Sequence, residues 1–164
     1  MDSGGTVIDG DRPPGLVDGA RFADGAADWE TPRREHLGRG YRIPSGGACG
    51  SARDLLKLAQ ALMDGELAAT RAAMAVPQAK IENSRRWDAY GLGLQVCLGR
   101  GRPVLGHGGD FAGYCTELAF MPDAGLALVL LRNYSEPGGD ARYRAHALLR
   151  RLGGAPTAGG DRER

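Results

Sequence analysis

The sequence predicts an α+β domain, an antiparallel β-meander with helices packed on its faces, and three observations carry that expectation. Tyr114 to Met121 alternates, with Tyr114, Thr116, Leu118 and Phe120 on one side and Cys115, Glu117, Ala119 and Met121 on the other, the period of a half-buried strand. Pro122-Asp123-Ala124-Gly125 supplies turn chemistry, proline fixing φ and glycine accepting a positive one, so Leu126 to Arg132 is expected to return antiparallel. Apolar residues recur at helical spacing in two places: Leu55, Leu58, Ala59, Leu62 and Met63, and again Ala141, Ala145, Leu148, Leu149 and Leu152.

From the N-terminus, residues 1–44 are rich in Gly, Asp, Pro and Arg, with few apolar anchors beyond Val7, Ile8, Leu16, Val17, Phe22 and Trp29. An irregular arm is expected, with Val7-Ile8 at most a short strand. The pattern changes at Ser51, where Ser51-x-x-Asp54 reads as a variant capping box and Gly65 as the helix end. A shorter helix is expected from Glu66 to Ala75, stopping before Pro77. Gln78 to Ala89 is polar and reads as a loop, in which Trp87 either faces a ligand or caps the core.

Gly91 to Leu98 places Leu92, Leu94, Val96 and Leu98 on one alternating face, so a strand is expected there. Val104 to Gly109 reads as the next strand, with a tight turn at Gly106, Gly108 and Gly109 leading into Tyr114 to Met121. These four strands make the expected meander. The return strand Leu126 to Leu131 is apolar on both faces, which asks for cover above and below and for neighbours on both edges. Asp140 is a candidate cap for the last helix, Arg150 and Arg151 suit its final turn, and Gly153-Gly154 ends it. Residues 154–164 are expected to be a disordered tail, leaving 45–153 as the folded body.

Composition narrows the function classes. At 164 residues the chain can build one core. A net charge of +1, with Arg33-Arg34, Arg85-Arg86 and Arg150-Arg151 as scattered pairs, argues against a nucleic-acid partner. MDSGGTVIDG lacks a basic n-region and an apolar h-region, so the chain as written shows no signal peptide or membrane anchor and the cytoplasm is its expected location, with export open should a further N-terminal portion carry the signal. Cys49, Cys97 and Cys115 have no close pair and read as reduced, packed thiols. With His36 and His107 they give no ligand spacing, so no metal and no cofactor are expected.

Three stretches carry a family resemblance: Pro44 to Glu66 (PSGGACGSARDLLKLAQALMDGE), Tyr90 to Val96 (YGLGLQV) and Gly106 to Leu149 (GHGGDFAGY and onward). In this order they resemble the later part of the serine β-lactamase, penicillin-binding protein and esterase superfamily, closest to its class C β-lactamase-like branch. A weaker match, Gly15 to Gly25, extends the likeness to about Arg12 to Leu152. The resemblance implies that 45–153 is the C-terminal part of a β-lactamase-like (transpeptidase-like) domain. It also implies that His107 stands where the family has its third-motif Lys or His, facing a nucleophile and holding a substrate carboxylate or moving a proton. Gly108 and Gly109 would let substrate approach the strand, and the backbone N–H of Asp110 would be one oxyanion donor.

The family's first two motifs are absent from this sequence. None of Ser3, Ser45, Ser51, Ser84 or Ser135 has Lys three residues later, and no Tyr has Asn two positions on. A serine hydroxyl without a neighbouring base is a poor nucleophile, so turnover by this chain alone is not expected. Three readings stay open: an incomplete, inactive member of the hydrolase family; a split-enzyme subunit that self-associates or meets a chain supplying the missing N-terminal half; and a non-catalytic module that uses the retained pocket to bind a small molecule, peptide or protein, a small acyl or carboxylate ligand among them.

Overall fold

Residues 7–8, 15–37, 43–99, 101–135 and 141–154 are described by the structure, a computed structural model. The expected cap at Asp140, the side chain of His36 and the expected tail beyond Gly154 lie outside the described residues.

Strands β5 (Ala79–Lys80), β6 (Ala89–Tyr90), β7 (Gln95–Cys97), β8 (Val104–Phe111), β9 (Tyr114–Met121) and β10 (Leu126–Arg132) form one sheet in the order β10-β9-β8-β7-β6-β5. Every pairing is antiparallel, as expected of a meander. Helix α3 (Ala52–Met63) carries the expected capping box, and the shorter helix expected after it is α4 (Ala68–Met74). Ser51 Oγ accepts from the Asp54 N–H at 3.3 Å and Asp54 Oδ2 accepts from the Ser51 N–H at 2.9 Å.

The period of two along each strand sends successive residues into two cores. Val96, Leu105 and Phe120 pack with Ala59 and Leu62 of α3, while Cys97, Val104, Ala119 and Met121 pack with Trp87 and with Leu149 of α5 (Ala141–Leu152). Helices therefore cover both faces of the central sheet, and a fully buried side chain such as Phe120 contributes about 1.5–3 kcal/mol to holding the layers together. Trp87, 2% exposed, belongs to the second core.

Five local expectations are corrected. The glycines at 106, 108 and 109 make no turn, because β8 runs unbroken to Phe111. The chain reverses instead at Ala112-Gly113, whose φ values of 49° and 77° are those of the two-residue hairpin turn that matches strand twist. Gly91 to Leu98 is a turn followed by one short strand, β7, rather than a strand throughout. Gly91 donates its N–H to the Leu94 carbonyl at 2.7 Å and Gly93 takes a φ of 78°, so a turn separates β6 from β7 and leaves Leu92 and Leu98 exposed. The segment expected to be a loop, 78–89, supplies β5 and the start of β6.

Within 1–44, the expected irregular arm holds a hairpin, β2 (Ala20–Ala23) and β3 (Ala26–Asp28), turned at Asp24-Gly25 with both φ values positive. An eight-residue helix follows, α1 (Glu30–Leu37), opened by Asp28 Oδ1 accepting from the N–H groups of Glu30 and Thr31. Strand β11 (Tyr134–Ser135) joins this hairpin, and β1 (Val7–Ile8) pairs with β4 (Ala48–Cys49). Finally, α5 buries Ala145, His146 and Leu149, whereas Leu148 and Leu152 of the expected stripe face solvent at 49% and 63% exposure. The polar His146 takes their place because Glu117 and Trp87 lie beneath it.

Candidate ligand site on the edge of strand β8

Strand β7 pairs with β8 only from Val104 to Gly106. From His107 onward, that edge of β8 has no strand partner among the described residues. The Gly108 N–H points to this edge and donates to Gln95 Oε1 at 3.2 Å. Alternation of backbone groups along a strand turns the Asp110 N–H to the same side. His107, Gly108, Gly109 and Asp110 thus share one extended strand, and the short helix α2 (Ile43–Gly46) lies near its end, where a Cβ on Gly46 would stand 3.7 Å from the Phe111 ring.

His107 is exposed, and both ring nitrogens have partners. Nδ1 lies 2.6 Å from the Gly108 carbonyl oxygen, and Nε2 lies 2.9 Å from Tyr90 Oη. The two rings meet edge to face with centroids 5.6 Å apart. The register Tyr90↔Gln95↔Gly106 sets Tyr90 two strands from β8, yet its hydroxyl reaches His107 because β7 begins at Gln95.

Behind the strand sits a buried charge network. Glu117, opposite Gly108 in the β8–β9 register, is 0% exposed; its Oε2 is 2.7 Å from Arg86 Nη1 and its Oε1 is 3.6 Å from His146 Nε2. Trp87 packs edge-on against His146 at 4.3 Å between centroids. The loop that delivers Arg86 and Trp87 is held by Ser84 Oγ, which accepts both of their backbone N–H groups. A carboxylate in that setting requires its ion pair, since an uncompensated buried charge is strongly destabilising. Gly108 follows from the same network, because a Cβ there would meet Glu117 Oε2 at 2.5 Å. Sequence reasoning had a different purpose for this glycine, substrate approach, and saw Glu117 only as one position on an alternating face.

Two more groups complete the strand layer. Burial pushes the Asp88 carboxyl upward, but the N–H groups of Leu98 and Gly99, both bonded to its Oδ2, outweigh burial and hold it below the usual carboxylate range. Burial pushes the Cys97 thiol up despite Arg150 Nη2 at 2.7 Å from its Sγ, so Cys97 is a packed thiol and not an activated nucleophile. Cys49, Cys97 and Cys115 are all free thiols, and among the described residues no three His, Cys, Asp or Glu side chains gather as a metal cluster. Ser51 is engaged as the cap of α3, and Ser84 holds the loop of Arg86 and Trp87.

The arrangement therefore offers an exposed imidazole, a phenol hydroxyl and, on the strand edge, the Asp110 N–H, which is a surface for hydrogen-bonding an anion or carbonyl. Tyr90 and Gln95 escaped the sequence reading. Both lie in YGLGLQV, but with that segment taken as one strand, nothing placed them beside His107.

The structure resembles a solved structure described as "Crystal structure of SurE", with a TM-score of 0.50 and 24% identity, over 85% of this chain and 33% of that one. This chain thus spans about a third of that protein's length, and the likeness concerns the fold alone. No curated protein matches. A family model described as Beta-lactamase matches residues 5–152, nearly the whole chain. The chain belongs to the Beta-lactamase family.

Proposed function

We propose that this chain is an incomplete member of the serine hydrolase superfamily, carrying the third-motif strand of a hydrolase site but not the nucleophile, and inert as a hydrolase by itself. One observation supports this reading above the others: His107 stands exposed on the open edge of β8 beside Tyr90, while no serine in the sequence has Lys three residues on. The nucleophile and its activating base are thus both lacking, and what remains can bind and can stabilise an oxyanion through the Asp110 N–H. A small acyl or carboxylate ligand is the class that fits an imidazole and strand N–H groups, with His107, Gly108, Gly109 and Asp110 as the contact residues.

Exposure to a fluorophosphonate and to a labelled penicillin, read by intact-mass spectrometry, tests this directly. No covalent adduct and no hydrolysis of a chromogenic cephalosporin are expected. A stoichiometric adduct on any serine refutes the reading.

A second reading is favoured by β10. It pairs only with β9 among the described residues, its run Leu126 to Leu131 is uncharged, and Leu148 and Leu152 of α5 are exposed. An open apolar edge of this kind templates pairing with another chain. In this reading the chain works as one part of an assembly, with a partner chain supplying the Ser-x-x-Lys helix. Co-expression with a chain bearing that motif, followed by the same covalent labelling, tests it: an adduct on the partner's serine only in the mixture supports assembly.

A further inference from the structure

We propose that Tyr90 is the ligand-facing hydroxyl of the β8 site and that a single proton on His107 decides whether this hydroxyl accepts or donates a hydrogen bond. The proposal rests on the reading of the β8 edge as a ligand site.

The geometry around the imidazole fixes its tautomer. The Gly108 carbonyl oxygen, 2.6 Å from Nδ1, has no proton to give, so Nδ1 must carry the hydrogen. In the neutral ring Nε2 is then a bare acceptor, and the group 2.9 Å away, Tyr90 Oη, donates its only hydrogen into it. With that hydrogen turned inward, the phenol oxygen presents lone pairs alone to a ligand. In this state the pair suits a donor such as a hydroxyl or an ammonium, and repels a carboxylate.

Adding one proton at Nε2 reverses the bond. Nε2–H now donates to Oη, the phenol hydrogen is released, and Tyr90 can donate it to a carboxylate oxygen while keeping it covalently bound. One proton is taken up for each carboxylate bound, and the imidazolium behind the phenol makes the new bond charge-assisted. The groups packed around the pair leave this switch to the imidazole. Gln95 on β7 is a neutral amide engaged with the Gly108 N–H, and Leu118, the cross-strand neighbour on β9, is apolar. Alternation turns Asp110 on β8 and Glu117 on β9 to the face of the sheet opposite His107, where Glu117 is paired with Arg86.

Ring nitrogen correlation spectra of the full chain, with sodium acetate as the probe, test the proposal. The neutral ring is expected to show the Nδ1–H tautomer. Tyr90→Phe, which keeps the ring and loses the hydroxyl, is expected to move the Nε2 resonance and leave Nδ1 in place. Acetate is expected to shift the Tyr90 and His107 signals, with its affinity falling by about tenfold for each pH unit above the imidazole midpoint read in the same titration. An Nε2–H tautomer in the neutral ring overturns the proposal, as does an unmoved Nε2 in the folded variant. Acetate binding that ignores the imidazole midpoint spares the ligand-site reading and overturns this proposal alone. Silence toward acetate at every pH overturns both. Should Tyr90→Phe fail to fold, the tautomer and the acetate titration of the unaltered chain decide by themselves.

Discussion

Adding one methyl group at Gly108 is the most informative perturbation of this protein, because two explanations of the glycine give opposite expectations. If the residue is glycine only to admit a ligand, Gly108→Ala impairs binding and spares stability. The structure gives a packing reason instead. The new Cβ would sit 2.5 Å from Glu117 Oε2 and 3.5 Å from Arg86 Nη1, so the carboxylate must retreat by about 1 Å to reach ordinary contact. It has nowhere easy to go, being 0% exposed and held by Arg86 at 2.7 Å. Overpacking costs about 1–3 kcal/mol, and loosening a buried ion pair moves toward the 3–5 kcal/mol penalty of an uncompensated charge, so a loss of about 2–4 kcal/mol is expected. Gly109→Ala is the internal control. Its Cβ would meet Thr116 Oγ1 at 2.8 Å, the end of a half-buried side chain free to change rotamer, and the expected loss is about 1 kcal/mol or less. Urea unfolding reads both: at about 1–3 kcal/mol/M, a 3 kcal/mol loss lowers the midpoint by about 1–3 M. A double-mutant cycle with Glu117→Ala should recover part of the Gly108→Ala loss. Equal midpoints for the two alanine variants, with no coupling to Glu117, would refute the packing explanation.

Arg86→Met should cost about 3–5 kcal/mol in urea unfolding, since it takes the guanidinium at 2.7 Å away from the fully buried Glu117; a loss below about 1 kcal/mol would mean that the pair contributes little. The Asp88 carboxyl is held below the usual range, so its stabilisation is present above the ordinary carboxylate value and disappears as pH falls through the folded value. The urea midpoints of Asp88→Asn and the unaltered chain should therefore differ most near neutrality and converge in acid, and a gap that widens on acidification contradicts the sign. In sedimentation at tens of micromolar, the unaltered chain is expected above monomer mass and Leu131→Lys, which puts a charge on the exposed end of β10, to be monomeric. A stable monomer whose Leu128 to Leu131 amides exchange only on global unfolding would defeat the open-edge expectation.

The sequence by itself determined those features that close within a few residues. The alternation of Tyr114 to Met121, the turn Pro122 to Gly125 and the return of β10 follow from period and turn chemistry, and the Ser51–Asp54 capping box follows from two side chains three residues apart. The Asp24-Gly25 hairpin was equally local, an Asp-Gly pair between the short segments Ala20–Ala23 and Ala26–Asp28, and was hidden by the polar composition around it. The family membership, too, was legible in the order of three stretches. Tertiary structure alone decided the remainder. Alternation cannot reveal that Gly91 to Leu94 folds back on itself, so Tyr90 could not be set beside His107. Helical spacing leaves open which side of α5 is buried, and the choice of His146 over Leu148 was made by Glu117 and Trp87, which lie 29 and 59 positions away in the chain (146 − 117 and 146 − 87). The reason for Gly108 likewise lies across the sheet in a carboxylate that only strand register places there. Periods and turns act on the chain's own neighbours, whereas the burial of a charge and the partner of an imidazole are fixed by whichever elements pack against them.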